Sequence, residues 1–168
     1  MKTLAHADGP AQTAIFGEVG RRMAELIRPC AAADLDVLVD IWLQATLASH
    51  DFIPAAFWHA QVHDMRHVYL WYSQVWVCER EGALTGFYAL VDEQLAAIFV
   101  APPWQGQGVG KALMAHAKSQ RSHLLLQVYQ RNRKSLAFYL AQGFVVQGER
   151  MDEATGQAEY DMRWDSRG

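Results

Sequence analysis

Residues 99–111 read FVAPPWQGQGVGK, an apolar strand end followed by a glycine-rich turn and the start of a helical pattern. Gly106, Gly108 and Gly110 alternate with larger residues, and glycine lets the backbone approach a ligand closely. The start of a helix adds free N–H groups and the positive end of its dipole. The segment therefore predicts an anion site, with a pyrophosphate as the expected anion, although a tight strand-to-helix turn alone would also use glycine.

Two common phosphate-binding loops do not fit this spacing. A nucleoside-triphosphate loop needs four residues between its glycines and a Ser or Thr after the lysine, but only three separate Gly106 from Gly110, and Ala112 follows Lys111. A dinucleotide fingerprint needs a third glycine where Lys111 stands. Both nucleotide classes are disfavoured.

The surrounding chain alternates between strand and helix patterns. Three β-rich runs at 75–79, 84–91 and 95–100 are separated by short polar turns and predict an antiparallel meander. The helical pattern after Gly110 and an apolar run at 124–129 form a β-loop-α-β unit, which requires a parallel strand pair. The fold class is therefore α/β with a mixed sheet. Further strands are expected at 26–29, 144–149 and 158–164.

Helices are also expected outside this unit. Asp34 is a good N-cap for a first helix, and Pro54 suits the first turn of a second, which runs to about residue 72. Asn132 is expected to cap a third helix, which Gly143 ends.

Length and charge narrow the possible partners. The 168 residues suit one domain, and we assign residues 1–25 as an N-terminal extension and 26–168 as the domain. With 15 Lys and Arg against 18 Asp and Glu, the formal charge of -3 argues against a nucleic acid partner. No apolar run predicts a membrane span. Two widely spaced cysteines favour the reducing cytoplasm.

Two motifs carry a resemblance to a known family. Gln105, Gly108 and Gly110 match the acyl-CoA signature of the GCN5-related N-acetyltransferase (GNAT) superfamily: Gln or Arg, two residues, Gly, one residue, then Gly or Ala. A second motif begins at Asn132 and continues with a helix that carries Tyr139 and with a Gly-Phe pair. This motif resembles the family's second signature. The chain is similar to the family over about residues 26–164 and looks most like its bacterial YiaC-type branch around 50–53 and 95–97.

The resemblance implies an architecture and a cofactor. The expected GNAT fold is a mixed sheet of six to seven strands flanked by about four helices, with strands four and five splayed around acetyl-CoA and no metal. Strand-four backbone then meets the pantetheine arm, the loop N–H groups hold the pyrophosphate, and Asn132 reaches the pantetheine or simply caps its helix. The residues implied are Ile98, Phe99, Val100, Gln105, Gly106, Gln107, Gly108, Val109, Gly110, Lys111 and Asn132.

Acetyl transfer to an amine needs a donor to the acetyl oxygen, a proton source for the departing thiolate and a base for the amine. The resemblance assigns the first role to the Val100 N–H and the second to Tyr139. Many relatives carry a glutamate on strand four, but residues 95–99 hold no acid here. The base stays open between a water chain, Glu93 and His50.

Two further segments bear on the acceptor. The resemblance places His50, Asp51 and Phe52 beside the acceptor groove, and its YiaC-type character favours a protein lysine over a polyamine, amino acid or antibiotic. The six acids at 149–165 could attract a cationic amine or could simply form an exposed hairpin. The alternative to an enzyme is a non-catalytic acyl-CoA sensor, and Tyr139 argues against it. Monomer and homodimer are both compatible with the sequence.

Overall fold

The computed structural model of the protein describes residues 25–167, and seven strands in this range form one mixed sheet. They are β1 (Glu25–Pro29), β2 (Gln74–Arg80), β3 (Ala83–Val91), β4 (Gln94–Val100), β5 (His123–Tyr129), β6 (Val145–Asp152) and β7 (Gln157–Asp165). Their order across the sheet is β1-β2-β3-β4-β5-β7-β6. Only β4 and β5 run parallel; the other neighbours are antiparallel. The predicted α/β class, meander and parallel pair are confirmed.

The first strand begins one residue before the expected domain boundary. Glu25 already pairs with Arg80 across β1 and β2, so the domain includes this residue. The rest of the expected extension, residues 1–24, lies outside the described residues.

Helices cover both faces of the sheet. The elements α1 (Leu35–Ser49) and α2 (Ala55–Ala60) lie on one face, where Leu38 and Trp42 pack with Val77 and Phe87. The elements α3 (Val109–Gln120) and α4 (Arg133–Ala141) lie on the other face, over a second apolar core. Within residues 25–167, no helix combines the length and apolar character needed to cross a bilayer.

Two helix predictions need correction. The helix expected from Pro54 to about residue 72 stops at Ala60, and after one short turn a π-helical turn follows at Met65–Tyr69. The Leu70 N–H donates to the Met65 carbonyl at 3.1 Å, an i to i+5 bond that lets both side chains face the core.

The prediction that Asp34 caps α1 is also wrong. Its carboxylate instead accepts from the Ala31 N–H at 2.7 Å and from Arg28 at 2.8 Å. It therefore closes the short 3-10 helix Ala32–Asp34 that precedes α1.

Strands β4 and β5 separate soon after they meet. They pair only at Gln94 and Leu125, where the Leu125 N–H donates to the Glu93 carbonyl at 2.9 Å. Ala97 opposes Ala89 of β3 while Leu95 opposes Leu90, so Ala96 is an extra, bulged residue in β4. A bulge bends a strand and increases its twist, which helps β4 to turn away from β5. The expected splay is confirmed.

Candidate active site

The splay exposes one edge of β4 beyond Gln94. On the other edge β4 pairs with β3, where the Ala101 N–H donates to the Thr85 carbonyl at 2.8 Å. Backbone groups alternate between the two edges of a strand, so those of Ile98 and Val100 face the gap. The backbone of Phe99 does not, because its carbonyl lies against Gly86 of β3. Phe99 was therefore wrongly grouped with the gap-facing backbone, and its side chain lines a cavity instead.

The glycine turn leads from β4 into α3. Gly108 is the N-cap and has a φ of 85°, in the left-handed region that favours glycine. The first helical bond joins the Ala112 N–H to the Gly108 carbonyl at 3.0 Å, so the N–H groups of Val109, Gly110 and Lys111 have no partner in the helix. This arrangement fits the pyrophosphate of acetyl-CoA.

Two glutamine side chains stabilise this turn. The Gln105 amide donates to the Val100 carbonyl at 3.1 Å, and its oxygen accepts from Lys134 at 3.3 Å. The Gln107 amide donates to the Pro103 carbonyl at 3.0 Å. Both glutamine side chains thus hold the turn in shape, and the Gln105 bond uses the Val100 carbonyl while the Val100 N–H stays directed to the gap.

Arg80 is a functional candidate that no sequence motif identified. From the end of β2 it donates to the Gln107 carbonyl at 2.8 Å, and it forms a salt bridge with Glu25 at 2.8 Å. Twenty-seven residues separate Arg80 from Gln107, so helical and strand periodicity could not connect them. The guanidinium, itself held by Glu25, fixes the turn beside the expected pyrophosphate.

Replacing Arg80 with glutamine (Arg80→Gln) should weaken acetyl-CoA binding by about 3- to 10-fold, because one charge-assisted hydrogen bond to the turn is lost. Calorimetry measures this affinity directly. Arg121→Gln is a matched control, since Arg121 donates to the Asp92 carbonyl at 2.9 Å at the other end of the sheet. Equal losses in both variants would contradict a specific role for Arg80.

Tyr139 lies on α4, on the same face of the sheet as α3. Its ring is partly buried and packs edge-on against Phe138 and Phe144, with centroids 5.6 and 5.9 Å away. Burial raises the pKa of the Tyr139 phenol to about 12, and no hydrogen bond from a described residue contributes to that shift. The hydroxyl therefore stays protonated and is available as a proton donor.

Asn132 and His50 come together although 82 residues separate them. The Asn132 oxygen accepts from the Ser135 N–H at 3.3 Å as an N-cap, and its amide lies 3.3 Å from His50 Nε2. His50 Nδ1 lies 3.0 Å from the Thr46 carbonyl, so the neutral tautomer with a proton on Nδ1 satisfies both contacts. Burial lowers the pKa of His50, and both nitrogens are engaged. His50 is not arranged as a base for an amine.

A cavity of about 580 Å³ lies on the α1 and α2 face of the sheet. Ala96, Ala97 and Phe99 of β4 form one wall, and aliphatic, polar and six further aromatic residues line the rest. The six aromatic residues are Trp42, Phe57, Trp58, Tyr69, Tyr72 and Tyr129. None of the three residues expected to contact substrate lines it: His50 is buried, Asp51 lies in a turn and Phe52 packs behind Tyr129, with ring centroids 5.9 Å apart. Aromatic packing holds His50 and Phe52 against Tyr129, while Asp51 stays exposed.

None of the described residues places a base in this cavity. Glu93 stands before β4, at the end where the sheet is still closed, roughly 20 Å along the strand from Val100. The described residues lining the cavity include no carboxylate, imidazole or amine. In residues 25–167, no group of three His, Cys, Asp or Glu could hold a metal ion.

Comparisons with known proteins agree on one family. A model of the acetyltransferase (GNAT) domain matches residues 71–146. The peptidyl-lysine N-acetyltransferase YiaC of Escherichia coli (strain K12) is 36% identical over 140 residues, which are 83% of this chain and 96% of YiaC.

Solved structures show the same fold. The solution structure of apo-form YjaB from Escherichia coli matches with a TM-score of 0.75 and 28% identity, over 83% of this chain and 97% of YjaB. The PaiA N-acetyltransferase from Thermoplasma acidophilum, in complex with coenzyme A, matches with a TM-score of 0.70 and 16% identity, over 84% and 98% of the two chains.

Proposed function

Because the chain belongs to the GNAT family and is an acetyl-CoA-dependent N-acetyltransferase, we propose that its acceptor is the lysine side chain of a protein. We further propose that the amine attacks acetyl-CoA directly while both substrates are bound. The observation that carries this proposal is the position of β4, whose open edge separates the glycine turn and Tyr139 from the aromatic cavity. Two substrates that approach from opposite faces meet at that edge.

The shape and chemistry of the cavity support a lysine. An aliphatic stem of four carbons suits apolar walls, and aromatic faces attract an ammonium group. Ala154 in the β6–β7 turn lines the rim, and acids on the same hairpin add negative charge. The relative YiaC carries the name peptidyl-lysine N-acetyltransferase, which agrees with this choice.

The proposed mechanism assigns one task to each group of the chain. Bound acetyl-CoA supplies an activated thioester. The N–H groups at the start of α3 bind its pyrophosphate, the Val100 N–H donates to the acetyl oxygen as negative charge develops there, and Tyr139 gives its proton to the departing sulfur.

The ammonium must lose two protons, one before the amine attacks and one as the C–N bond forms and the C–S bond breaks. Removal from bulk water lowers the pKa of a lysine ammonium and assists the first loss, while the aromatic faces and nearby acids act in the opposite direction. Both protons leave through water, which also returns a proton to Tyr139. A water route fits a cavity whose described lining has no carboxylate or imidazole.

A panel of acceptors tests the proposal. We expect kcat/KM for a lysine-containing peptide to exceed that for free lysine or spermidine by at least about 10-fold, because only the peptide fills both cavity and rim. The same peptide with its lysine replaced by norleucine is the control and should not react. Faster acetylation of a small amine would contradict the protein acceptor, and acetyl-CoA binding without any turnover would favour a sensor.

The two cysteines bear on the cellular setting. Cys30 and Cys78 are both free thiols, one partly exposed and one buried. Free cysteines fit the reducing cytoplasm, which we propose as the location.

A further inference from the structure

Tyr129 and Asp152 form a polar pair at the wall of the aromatic cavity. Tyr129 is the last residue of β5 and lines the cavity. Its hydroxyl donates to the Asp152 carboxylate, with the two oxygens 2.5 Å apart. Neither residue belongs to the motifs of the glycine turn or of α4, and the mechanism above uses neither.

The carboxylate of Asp152 is fixed and charged. Thr155 donates to it at 2.8 Å and the Ala154 N–H at 3.2 Å. Burial alone would raise the pKa of Asp152, but the hydrogen bonds from Tyr129, Thr155 and the Ala154 N–H outweigh it and hold that pKa below its usual value. Asp152 therefore accepts the Tyr129 proton as an anion across the neutral range.

Packing fixes the Tyr129 ring from the other side. The rings of His50 and Phe52 lie edge-on to it, with centroids 5.6 and 5.9 Å away. The loop that holds His50 and Phe52 was expected to contact the substrate directly, and here it positions the Tyr129 ring. The ring cannot easily turn away from Asp152.

This geometry decides what the Tyr129 oxygen can bind. A phenol has one proton and two lone pairs, and the proton is committed to Asp152. The Thr155 hydroxyl beside this oxygen donates its proton to Asp152, so the lone pairs of Tyr129 remain, and the neighbouring anion makes them stronger acceptors. A ligand group that meets this oxygen must therefore donate a hydrogen bond, as an amine or ammonium does.

We propose that the Tyr129 oxygen, oriented by Asp152, binds the N–H group of the attacking aliphatic amine. This inference rests on the proposed function and names the residue that recognises its acceptor. The rest of the described lining offers an amine no carboxylate. The occupant is the ammonium end of an alkyl chain, because aromatic side chains surround the Tyr129 oxygen, which can accept a hydrogen bond but cannot donate one.

Removing the Tyr129 hydroxyl (Tyr129→Phe) should raise KM for the amine by about 10- to 50-fold, because a hydrogen bond to a charged group is lost. The acetyl-CoA affinity should stay within about 2-fold, since the glycine turn is untouched. Asp152→Asn keeps an acceptor for the Tyr129 proton but removes the charge, so a smaller rise in KM of about 3- to 10-fold is expected. Steady-state kinetics and calorimetry measure these quantities.

Tyr160→Phe is the matched control. Tyr160 is also partly buried, but it lies on β7 and packs on the core of the opposite face of the sheet. Loss of its hydroxyl should leave KM unchanged. An equal rise in KM for Tyr160→Phe, or a fall in kcat at constant KM for Tyr129→Phe, would overturn the proposal, and melting temperatures verify that each variant is folded.

The outcomes separate this inference from the proposed function. If the unmodified protein acetylates no amine of the panel, the proposed function fails. If it acetylates the lysine peptide and Tyr129→Phe leaves KM unchanged, the proposed function stands and the role of Tyr129 is wrong.

Discussion

Replacing Tyr139 with phenylalanine is expected to lower turnover by about 10²- to 10⁴-fold while acetyl-CoA affinity changes little. The ring, which packs on Phe138 and Phe144, is retained, so only the proton is lost. A pKa of about 12 makes the phenol a weaker acid than an ordinary tyrosine. The departing thiolate forms in the gap between β4 and β5, and desolvation there raises the pKa of the thiol as well, which reduces the pKa difference between Tyr139 and the sulfur.

Single-turnover kinetics with acetyl-CoA and the best acceptor measure the chemical step directly. Tyr160→Phe is a suitable control, because Tyr160 is also partly buried and packs on the same core. If Tyr139→Phe keeps near-normal turnover while chemistry is rate-limiting, water must be the proton donor. A loss confined to stability, of about 1 kcal/mol, would mark Tyr139 as a packing residue.

Local sequence signals predicted the part of the fold that local chemistry controls. The runs at 75–79, 84–91 and 95–100 became strands because alternation and β-branched or aromatic residues act within a few positions. Asn132 caps α4 as expected, since an N-cap requires only a side chain three residues from its donor.

Features that depend on distant contacts could not be predicted in this way. The π-helical turn forms because Met65 and Leu70 both pack into the core. The helical pattern of the sequence alone favoured one continuous helix. Asp34 looked like a cap for α1, but Arg28 and the Ala31 N–H compete for its carboxylate. In both cases a tertiary or neighbouring contact outweighs the intrinsic preference of the segment.

The same distinction between local signals and distant contacts applies to the candidate site. The glycine turn and Tyr139 are contained in contiguous motifs and could be named from the sequence. The contacts of Arg80 with Gln107, of His50 with Asn132 and of Tyr129 with Asp152 cross 27, 82 and 23 residues. The sequence singled out His50, Asn132 and Gln107, but not the contacts that they make. Without the fold, Arg80, Tyr129 and Asp152 read as ordinary polar residues.

A valine at Gly108 (Gly108→Val) is expected to weaken acetyl-CoA binding by about 10²-fold. The φ of 85° is strongly unfavourable for a β-branched residue, so the turn must rearrange. The loss of two charge-assisted N–H bonds to the pyrophosphate is worth roughly this factor. A β-carbon at this position would also lie 4.0 Å from the Arg80 guanidinium, so the methyl groups of valine would press on the side chain that holds the turn.

Two controls separate backbone strain from cofactor binding. Gly156→Val imposes a similar strain, because Gly156 has a φ of 71° and open space around it, but it lies in the β6–β7 turn far from the start of α3. It should lower the melting temperature without changing acetyl-CoA affinity. Gly110→Ala should be tolerated in both respects, since its β-carbon would make ordinary contacts at 3.6 Å with Phe138. If calorimetry finds the same affinity for Gly108→Val as for Gly156→Val, the turn at Gly108 does not bind the pyrophosphate.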